Sequence, residues 1–354
     1  MQRQHKTLII LSPGFPANET DSTCMPFPQL FVRKLKELNP SLNIIVLAFQ
    51  YPYTNNCYQW NNIKVYPFNG RNKAGFKRLL LWRSVWTQLK KIIDENEILG
   101  ILNLWLGESA FMGKYAAKKY QLKNFTWLLG QDARQGNRYF RRIRPVAQNL
   151  VALSDFIAAE FYNNYHIKPA YIIPPGIDTQ NSQPLPATRN IDIMGAGSLI
   201  ELKQFNIFIN VVAALIKKHP GIRAVICGDG PEKEKLQQLI VANDLSQHIQ
   251  LMGEVSHAEV LAMMQSSRIF LHPSSYEGFA TVISEALFAG AQVVSFCKPM
   301  SAGFKNQYIV QSETAMIDQV DVLLANKKIN QERIITNEIE NTCKDILALY
   351  ENEV

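Results

Sequence analysis

The chain has 354 residues, of which 47 % are hydrophobic and 19 % are charged. This length exceeds one ordinary domain and this composition supports a large buried core, which excludes a single small module, a disordered chain, a collagen and a coiled coil. The net charge is +7. Residues 1–180 carry 23 Lys and Arg against 11 Asp and Glu, whereas the remainder is acidic. A basic first half indicates an anionic partner.

Cysteine usage and apolar runs indicate the compartment. The five cysteines are an odd number, widely spaced and without a C-x-x-C pair, which argues against a disulfide framework and a zinc site. We expect reduced thiols in a cytoplasmic protein. The apolar runs fall well short of the roughly 18 residues that a membrane span needs, and the first residues lack the pattern of a signal peptide. Peripheral attachment to the inner face of a membrane stays an open alternative.

Short aliphatic runs alternate with helical patterns along both halves. Strands are predicted at residues 7–11, 43–49, 98–104, 125–129, 150–153 and 170–173, and then at 191–194, 223–227, 248–251, 269–272 and 292–296. Helices are predicted between them at residues 28–38, 77–93, 110–120, 155–165, 205–218, 232–242, 258–265 and 281–289. Such alternation is typical of βαβ units and mostly parallel sheets.

The domain organisation follows from one segment rich in Pro and Gly. Residues 174–187 lack any apolar period and are interpreted as a linker. The chain is thereby divided into an N-terminal domain at residues 1–178, a C-terminal domain at 179–330 and a C-terminal segment at 331–354. One amphipathic helix over residues 330–350 is expected to pack on an existing surface. In open parallel sheets, ligands bind in the crevice outside the carboxyl ends of the strands.

The most informative motif is SSYEGFATVISE at residues 274–285, directly after a predicted strand. Gly278 permits a tight turn, and the next helix is predicted to begin near Thr281. The backbone N–H groups of Phe279, Ala280 and Thr281 then point outward at a helix N-terminus, where they form an anion site.

Two carboxylates accompany this anion site. Glu277 comes just before these amides, and Glu285 lies one helical turn beyond Thr281 on the same face. Carboxylates in these places can accept hydrogen bonds from vicinal hydroxyls, as on a sugar or a ribose. The alternative is structural, with Glu285 as an acid in the first helical turn and Glu277 as a solvated loop residue.

Glycine-ended strands supply a second group of candidates. In GAGSLIELK at residues 195–203, a strand ends in glycines, and Lys203 can neutralise a diphosphate leaving group. A nicotinamide fingerprint is disfavoured because Ile200 stands where the third glycine belongs. The loops containing Gly228 and Gly253 follow the next two strands and are expected to wall a nucleotide crevice.

On these residues the sequence resembles the retaining GT-B glycosyltransferases of family 4, most strongly over residues 191–295. The resemblance implies two Rossmann-like, doubly wound α/β domains that face a central cleft, with the C-terminal helix packed back on the first domain. It implies transfer of a hexose, with retention, from a nucleotide-sugar donor, most readily a UDP- or GDP-linked one, to a hydroxyl of a glycan or lipid-linked glycan. Polysaccharide biosynthesis is the expected setting, and no cofactor is implied beyond the donor.

The resemblance also assigns residues. The two catalytic residues are Glu277, near the anomeric carbon of the transferred sugar, and Lys203, at the donor phosphates, while Glu285 contacts the ribose hydroxyls. The donor-binding set implied by the family motifs is Gly14, Ser198, Lys203, Gly228, Val255, Glu277, Gly278, Phe279, Ala280, Thr281 and Glu285. Asp132 and Arg134 are the expected acceptor residues. The sequence holds no D-x-D carboxylate pair, so we expect Lys203 and backbone amides to support the leaving diphosphate without a metal.

These motifs do not explain one basic segment in the first half of the chain. Residues 71–91 mix Lys and Arg with Phe76, Trp82 and Trp86. Either they form a membrane interface with the aromatics inserted, or they form a core helix with a solvated basic face. The arginines at residues 134–144 face either a phosphorylated acceptor or water. No recognition motif for nucleic acid is present, so none is expected as a partner.

Two other functions remain open at this point. One is a non-catalytic scaffold at the membrane with a decayed donor site, favoured by Ser198 and Leu129 where the family usually has Arg and His. The other is a different sugar-nucleotide enzyme on the same fold, such as an epimerase-like or phosphorylase-like one.

Overall fold

A computed structural model describes residues 6–180, 184–186, 188–326 and 332–351. These residues form two compact units. The first comprises the chain up to Gly176 together with the chain from Asn337 onward, and the second comprises Ile177–Thr336. The sequence analysis placed the divisions at residues 178 and 330. Of the predicted linker, residues 181–183 and 187 lie outside the described residues.

Strands β1–β8 belong to the first unit and β9–β14 to the second, and helices α1–α5 and α11 belong to the first unit and α6–α10 to the second. The strands are β1 (Thr7–Gly14), β2 (Asn43–Tyr51), β3 (Tyr58–Trp60), β4 (Ile63–Pro67), β5 (Ile98–Leu104), β6 (Asn124–Leu128), β7 (Leu150–Ala152), β8 (Tyr171–Ile172), β9 (Ile191–Ala196), β10 (Ala224–Cys227), β11 (Ile249–Gly253), β12 (Ser267–His272), β13 (Gln292–Ser295) and β14 (Gln307–Ile309). The helices are α1 (Pro26–Leu38), α2 (Phe76–Glu95), α3 (Glu108–Tyr120), α4 (Phe140–Ile143), α5 (Asp155–Tyr165), α6 (Phe205–Leu215), α7 (Lys233–Ala242), α8 (His257–Gln265), α9 (Thr281–Phe288), α10 (Glu313–Ala325) and α11 (Ile339–Glu351).

The sheet of the first unit has the order β3-β4-β2-β1-β5-β6-β7-β8, and only β3 runs antiparallel to its neighbour. The sequence analysis missed β3 and β4. Their hairpin is closed by Asn61 and Asn62, both at positive φ (46° and 60°), and a two-residue turn of this kind is a place where Asn is favoured. The Asn-Asn pair was therefore an available signal.

The second unit contains a six-stranded parallel sheet in the order β11-β10-β9-β12-β13-β14. Successive side chains of one strand point to opposite faces of the sheet. Ile193 and Ile269 pack with α6, α7 and α10, whereas Met194 and Phe270 pack with α8 and α9. The sheet is thus doubly wound. Its order reverses between β9 and β12, and at such a reversal the loops at the carboxyl ends diverge and leave a crevice.

All predicted strands are present within about three residues of their predicted bounds, as are the predicted helices up to residue 289. Besides β3 and β4, the analysis missed β14, α4 and α10. The N-terminus of α10 was marked by a local signal, since the Ser312 side chain accepts a hydrogen bond from the Ala315 N–H at 3.1 Å and Ser is a preferred N-cap residue.

The helix predicted over residues 330–350 was wrong at its start, because α11 begins at Ile339. Residues 330 and 331 lie outside the described residues, and residues 332–338 are not helical. In this segment the Ile334 N–H donates to the Leu287 carbonyl at 3.1 Å. The Thr336 hydroxyl donates to Ser284 Oγ at 2.8 Å. These two bonds hold the non-helical segment against α9.

Helix α11 packs on the first unit, as the sequence analysis expected. Its Ile346 and Tyr350 side chains are buried. The Tyr350 hydroxyl donates to the Ile101 carbonyl at 2.9 Å, and burial raises the pKa of this phenol. A Cβ added at Gly100 would overlap the Tyr350 ring, so the close approach of the helix to β5 depends on glycine.

Two further expectations concern cysteines and membrane spans. All five cysteines are free, with Cys227 and Cys343 buried and Cys57 exposed. Burial raises the pKa of the Cys227 thiol to about 11 and that of Cys343 to about 12, so both stay protonated near neutral pH. Among the helices in the described part of the chain, none is both long enough and apolar enough to cross a bilayer.

The stability of the first unit is expected to depend on α11. Ile346→Ala should lower its free energy of unfolding by about 2–5 kcal/mol, because the substitution leaves a cavity in a packed core. All five tryptophans, at positions 60, 82, 86, 105 and 127, lie in the first unit, so tryptophan fluorescence in a urea titration reports on this unit. Ile335→Ala is the control because Ile335 is 50 % exposed and lies in the second unit. Equal midpoints for the two variants would contradict the assignment of α11 to the first core.

Candidate functional site

The candidate site lies in the second unit at the carboxyl ends of the adjacent strands β9 and β12. After β9, a 3-10 turn at Glu201–Lys203 presents Lys203. After β12, the loop presents Glu277, and Lys203 Nζ donates a hydrogen bond to its Oε1. Their side chains are 19 % and 14 % exposed. The two residues that the family resemblance assigned to catalysis are therefore in direct contact.

The two loops are also joined through their backbones. The Ser275 N–H and hydroxyl both donate to the Leu202 carbonyl, at 3.0 and 3.1 Å. The Ser274 hydroxyl reaches the same carbonyl at 3.2 Å. Because Leu202 immediately precedes Lys203, these bonds fix the position from which the lysine reaches Glu277.

A histidine missed by the sequence analysis completes this group. His272, the last residue of β12, is buried, and its Nε2 lies 3.1 Å from Glu277 Oε1. Burial lowers the pKa of His272 against the opposing effect of Glu277. A neutral imidazole beside an ionised carboxylate must donate from Nε2, because the carboxylate only accepts. The position of His272 at a strand end just before the motif was the only signal for it.

Glu277 is ionised at neutral pH. Burial by itself would raise its pKa, but the hydrogen bond from His272 and the positive charge of Lys203 outweigh burial and lower it to about 2. An ionised carboxylate can accept hydrogen bonds from sugar hydroxyls. It is also held by two partners, which limits its freedom to attack a carbon atom.

The turn before α9 differs from the expected one in its backbone. Its left-handed residue is Ala280, with φ 60° at the N-cap of α9, where the sequence analysis had assigned the turn to Gly278. Ala280 offers no side-chain cap to the first turn of α9, so helix N–H groups there are left for other acceptors. Gly278 and Phe279 are buried, and Thr281 is partly exposed.

Glu285 has a partner that sequence reasoning missed. His257, the first residue of α8, places Nε2 2.8 Å from Glu285 Oε1. The histidine side chain is 40 % exposed and the glutamate 19 %. This contact joins α8 to α9. A single histidine at a helix start has no sequence pattern that would pair it with a residue of the next helix.

Three glycine loops lie beside this group. Gly228 (φ 141°) and Gly230 (φ 157°) follow β10, and an added Cβ would overlap the carbonyl oxygens of Gly197 and Leu199 respectively. The Gly228 N–H donates to the Gly253 carbonyl at 2.8 Å. The loop after β10 is thus in backbone contact with the loop after β9 and with the end of β11, and the contact with the loop after β9 requires glycine at residues 228 and 230.

The two remaining donor candidates of the second unit lie on these loops. Ser198 is exposed directly after Gly197. Val255 is partly buried against the side chains of the α8 and α9 face. The residue after it, Ser256, caps α8 in a capping box with Glu259, which fixes where the loop ends.

The other predicted residues lie in the first unit. Gly14 is buried at the end of β1, where its carbonyl accepts from the Ser12 hydroxyl at 2.5 Å. Asp132 is buried, and its carboxyl oxygens accept the N–H groups of Leu106 and Gly130, both at 2.9 Å. These bonds tie together the loops after β5 and β6. Burial raises the pKa of Asp132 to about 6 against the effect of these backbone bonds. Arg134 is exposed.

The comparisons with known proteins assign the second unit. Residues 177–340 match the family model described as Glycosyl transferases group 1. The match covers the whole of the second unit, which is thus similar to the group 1 glycosyl transferases. The matched residues include Lys203, Glu277, Glu285 and the three glycine loops described above.

Two relatives match about a third of the chain each. The chain is 33 % identical over 127 residues to the phosphatidylinositol N-acetylglucosaminyltransferase gpi3 subunit of Schizosaccharomyces pombe, which is 35 % of this chain and 28 % of that protein. It is 29 % identical over 103 residues to a 2-deoxystreptamine N-acetyl-D-glucosaminyltransferase of Niallia circulans, 29 % of this chain and 26 % of that protein. The matches thus span only about a quarter of the length of these relatives.

Solved structures match along nearly the whole chain. Sucrose-phosphate synthase from Thermosynechococcus elongatus gives a TM-score of 0.72 at 15 % identity and covers 98 % of this chain and 95 % of its own. Anabaena Alr3699/HepE in complex with UDP and glucose gives 0.73 at 15 % identity and covers 99 % of this chain and 100 % of its own. At these identities the likeness shows the fold. The protein has the GT-B fold, with two parallel-sheet, Rossmann-like domains.

Proposed function

We propose that the protein is a retaining glycosyltransferase that moves a sugar from a nucleotide diphosphate to an acceptor hydroxyl. The contact of Lys203 with Glu277 beside the start of α9 is the observation on which this rests. A cation and a helix N-terminus suit a diphosphate. The carboxylates of Glu277 and Glu285 suit hydroxyl groups.

We propose that the donor binds at the loops of the second unit. We assign the ribose hydroxyls to Glu285, the diphosphate to Lys203 and the turn before α9, and the base to the loops containing Gly228 and Val255. Relatives named as N-acetylglucosaminyltransferases support N-acetylglucosamine as the first sugar to test. The structural neighbour in complex with UDP and glucose supports UDP as the first nucleotide.

The reaction breaks the bond between the anomeric carbon and the oxygen of the β-phosphate. The electron pair of this bond stays on the phosphate, where Lys203 and the N–H groups at the start of α9 would stabilise the growing negative charge. Glu277 would orient the sugar. In the free protein Lys203 is paired with Glu277, so donor binding has to draw the ammonium group toward the diphosphate.

Retention is proposed to arise by attack on the same face. The acceptor hydroxyl bonds to the anomeric carbon from the side of the departing phosphate, and its proton passes to that phosphate. Glu277 is not the nucleophile in this proposal because Lys203 and His272 both hold its carboxylate. The proposal needs no divalent metal, since Lys203 and backbone amides would take its place.

The acceptor is proposed to be a glycan or a lipid-linked glycan that meets the basic first unit. Relatives named for phosphatidylinositol support a lipid-linked one. Arg134 is exposed on the first unit. The buried contacts of Asp132 favour a positioning role for that residue, in which it holds the loops after β5 and β6.

Nucleotide binding is expected to depend on Glu285. Glu285→Ala should weaken the binding of UDP by about 1.5–3 kcal/mol, the scale of hydrogen bonds to a charged group. Thermal-shift titrations with UDP, GDP and ADP measure this, because a ligand that binds the folded state raises its melting temperature. Glu234→Ala, at an exposed position of α7, is the matched control. Unchanged UDP affinity in a folded Glu285→Ala variant would remove this residue from the ribose.

Turnover is expected to depend on the charge of Lys203. Lys203→Ala should lower kcat about 10²–10³-fold, as removal of one transition-state donor does, with a smaller change in KM. Release of UDP from UDP-N-acetylglucosamine, measured with a chelator present, reads this out. Lys218→Ala, which removes an exposed lysine paired with Asp321, is the control. A rise in KM alone, or wild-type turnover only after Mg²⁺ or Mn²⁺ is restored, would contradict the proposal.

A further inference from the structure

Helix α2 of the first unit has an apolar side that its own unit leaves uncovered. Leu81 and Val85 are buried against the sheet, as the core side of the helix. On another side Phe76, Leu79 and Leu80 are 72 %, 57 % and 47 % exposed. Residues three and four positions apart are neighbours on a helix surface, so these three side chains form one patch, here called the α2 patch.

The surroundings of the α2 patch are basic. Exposed cations adjoin it on the helix, at Lys77 and Arg83, and in the preceding loop, at Arg71 and Lys73. Residues 38–93 contain no Asp or Glu. A patch of this composition attracts an anionic surface.

An acid from a neighbouring helix does not offset this charge. Glu108, on α3, lies 3.1 Å from Arg78 Nε and accepts from the Tyr139 hydroxyl at 3.0 Å. Its charge is therefore balanced by a partly buried arginine of α2. The exposed lysines and arginines beside the patch keep their effect on the solvent side.

The sequence analysis considered a membrane interface into which Phe76, Trp82 and Trp86 are all inserted. The structure places only one of these three aromatic side chains at the surface. Trp82 and Trp86 are only partly exposed and pack against the core, and the Trp82 ring lies 5.0 Å from that of Phe111. Phe76 is the aromatic residue at the surface. Tyr115, on α3, makes an edge-to-face contact with Phe111 at 4.9 Å between ring centroids and is 47 % exposed.

We propose that the α2 patch docks the first unit on a bilayer that contains anionic lipids. Phe76, Leu79 and Leu80 enter the boundary between head groups and acyl chains, while Lys77 and Arg83 lie among the head groups. Two of the three exposed apolar side chains, Leu79 and Leu80, are aliphatic. This favours a lipid surface over a nucleic acid, whose phosphates bind cations and whose bases stack on aromatic rings. The contact goes beyond the proposed transfer reaction and does not depend on it.

Co-sedimentation of the full chain with vesicles tests the proposal. We expect binding to vesicles of phosphatidylcholine mixed with phosphatidylglycerol, little binding to phosphatidylcholine alone, and loss of binding at high salt. A variant with F76S, L79S and L80S should show at least about a tenfold lower partition into the mixed vesicles, as should a variant with K77E and R83E. V322S removes an apolar side chain of the second unit that is 63 % exposed and should bind like the wild type.

Two control measurements show whether a variant has lost its fold or its donor site instead of its membrane contact. All of these positions are exposed, so the melting temperature and the response to UDP should stay unchanged in every variant. Absence of wild-type binding to the mixed vesicles would overturn the proposal. So would equal binding of the serine variant, or equal binding to neutral vesicles. Salt-sensitive binding to a DNA or RNA oligonucleotide but not to vesicles would overturn it in favour of a nucleic-acid surface.

Discussion

The ion pair between Lys203 and Glu277 is the contact on which the rest of the site depends. Both side chains lie largely out of water, where a lone charge is costly, so each charge stabilises the other. His272 supports the carboxylate, and the serine loop before Glu277 holds the backbone that carries Lys203. In the free protein the positive charge of Lys203 is thus neutralised by Glu277. In the proposed function a diphosphate donor would have to compete for that cation, which would make the site selective for a strong anion.

The parallel sheet explains why these groups meet. Lys203 and Glu277 are 74 positions apart in the chain, but β9 and β12 are neighbours, and parallel strands bring their carboxyl ends to one edge. The crevice exists because the strand order reverses between these two strands. Gly228 and Gly230 let the loop after β10 approach the backbone of the loop after β9, because a Cβ at either position would overlap a carbonyl oxygen there.

Much of this arrangement could be predicted from the sequence. Strand ends, glycines and a helix start are local patterns, and together they were sufficient to select Lys203, Glu277 and Glu285. The histidines were missed because their pairing is tertiary: His257 meets Glu285 only when α8 and α9 pack together. The start of α11 was misplaced for a similar reason, since Ile334 has the right period for a helix but is held by α9 instead. Trp82 and Trp86 lie among basic residues in the sequence, but their side chains pack against the core of the first unit.

The two units contribute different chemistry to the proposed enzyme. The second contains the paired acids and the lysine, and the first contains the basic patch and the buried Asp132. The most direct measurement for the central claim is a crystal structure of the protein with bound UDP. The account predicts Lys203 Nζ within hydrogen-bond distance of the β-phosphate and Glu285 at the ribose hydroxyls. A diphosphate bound elsewhere, with Lys203 still held by Glu277, would contradict it.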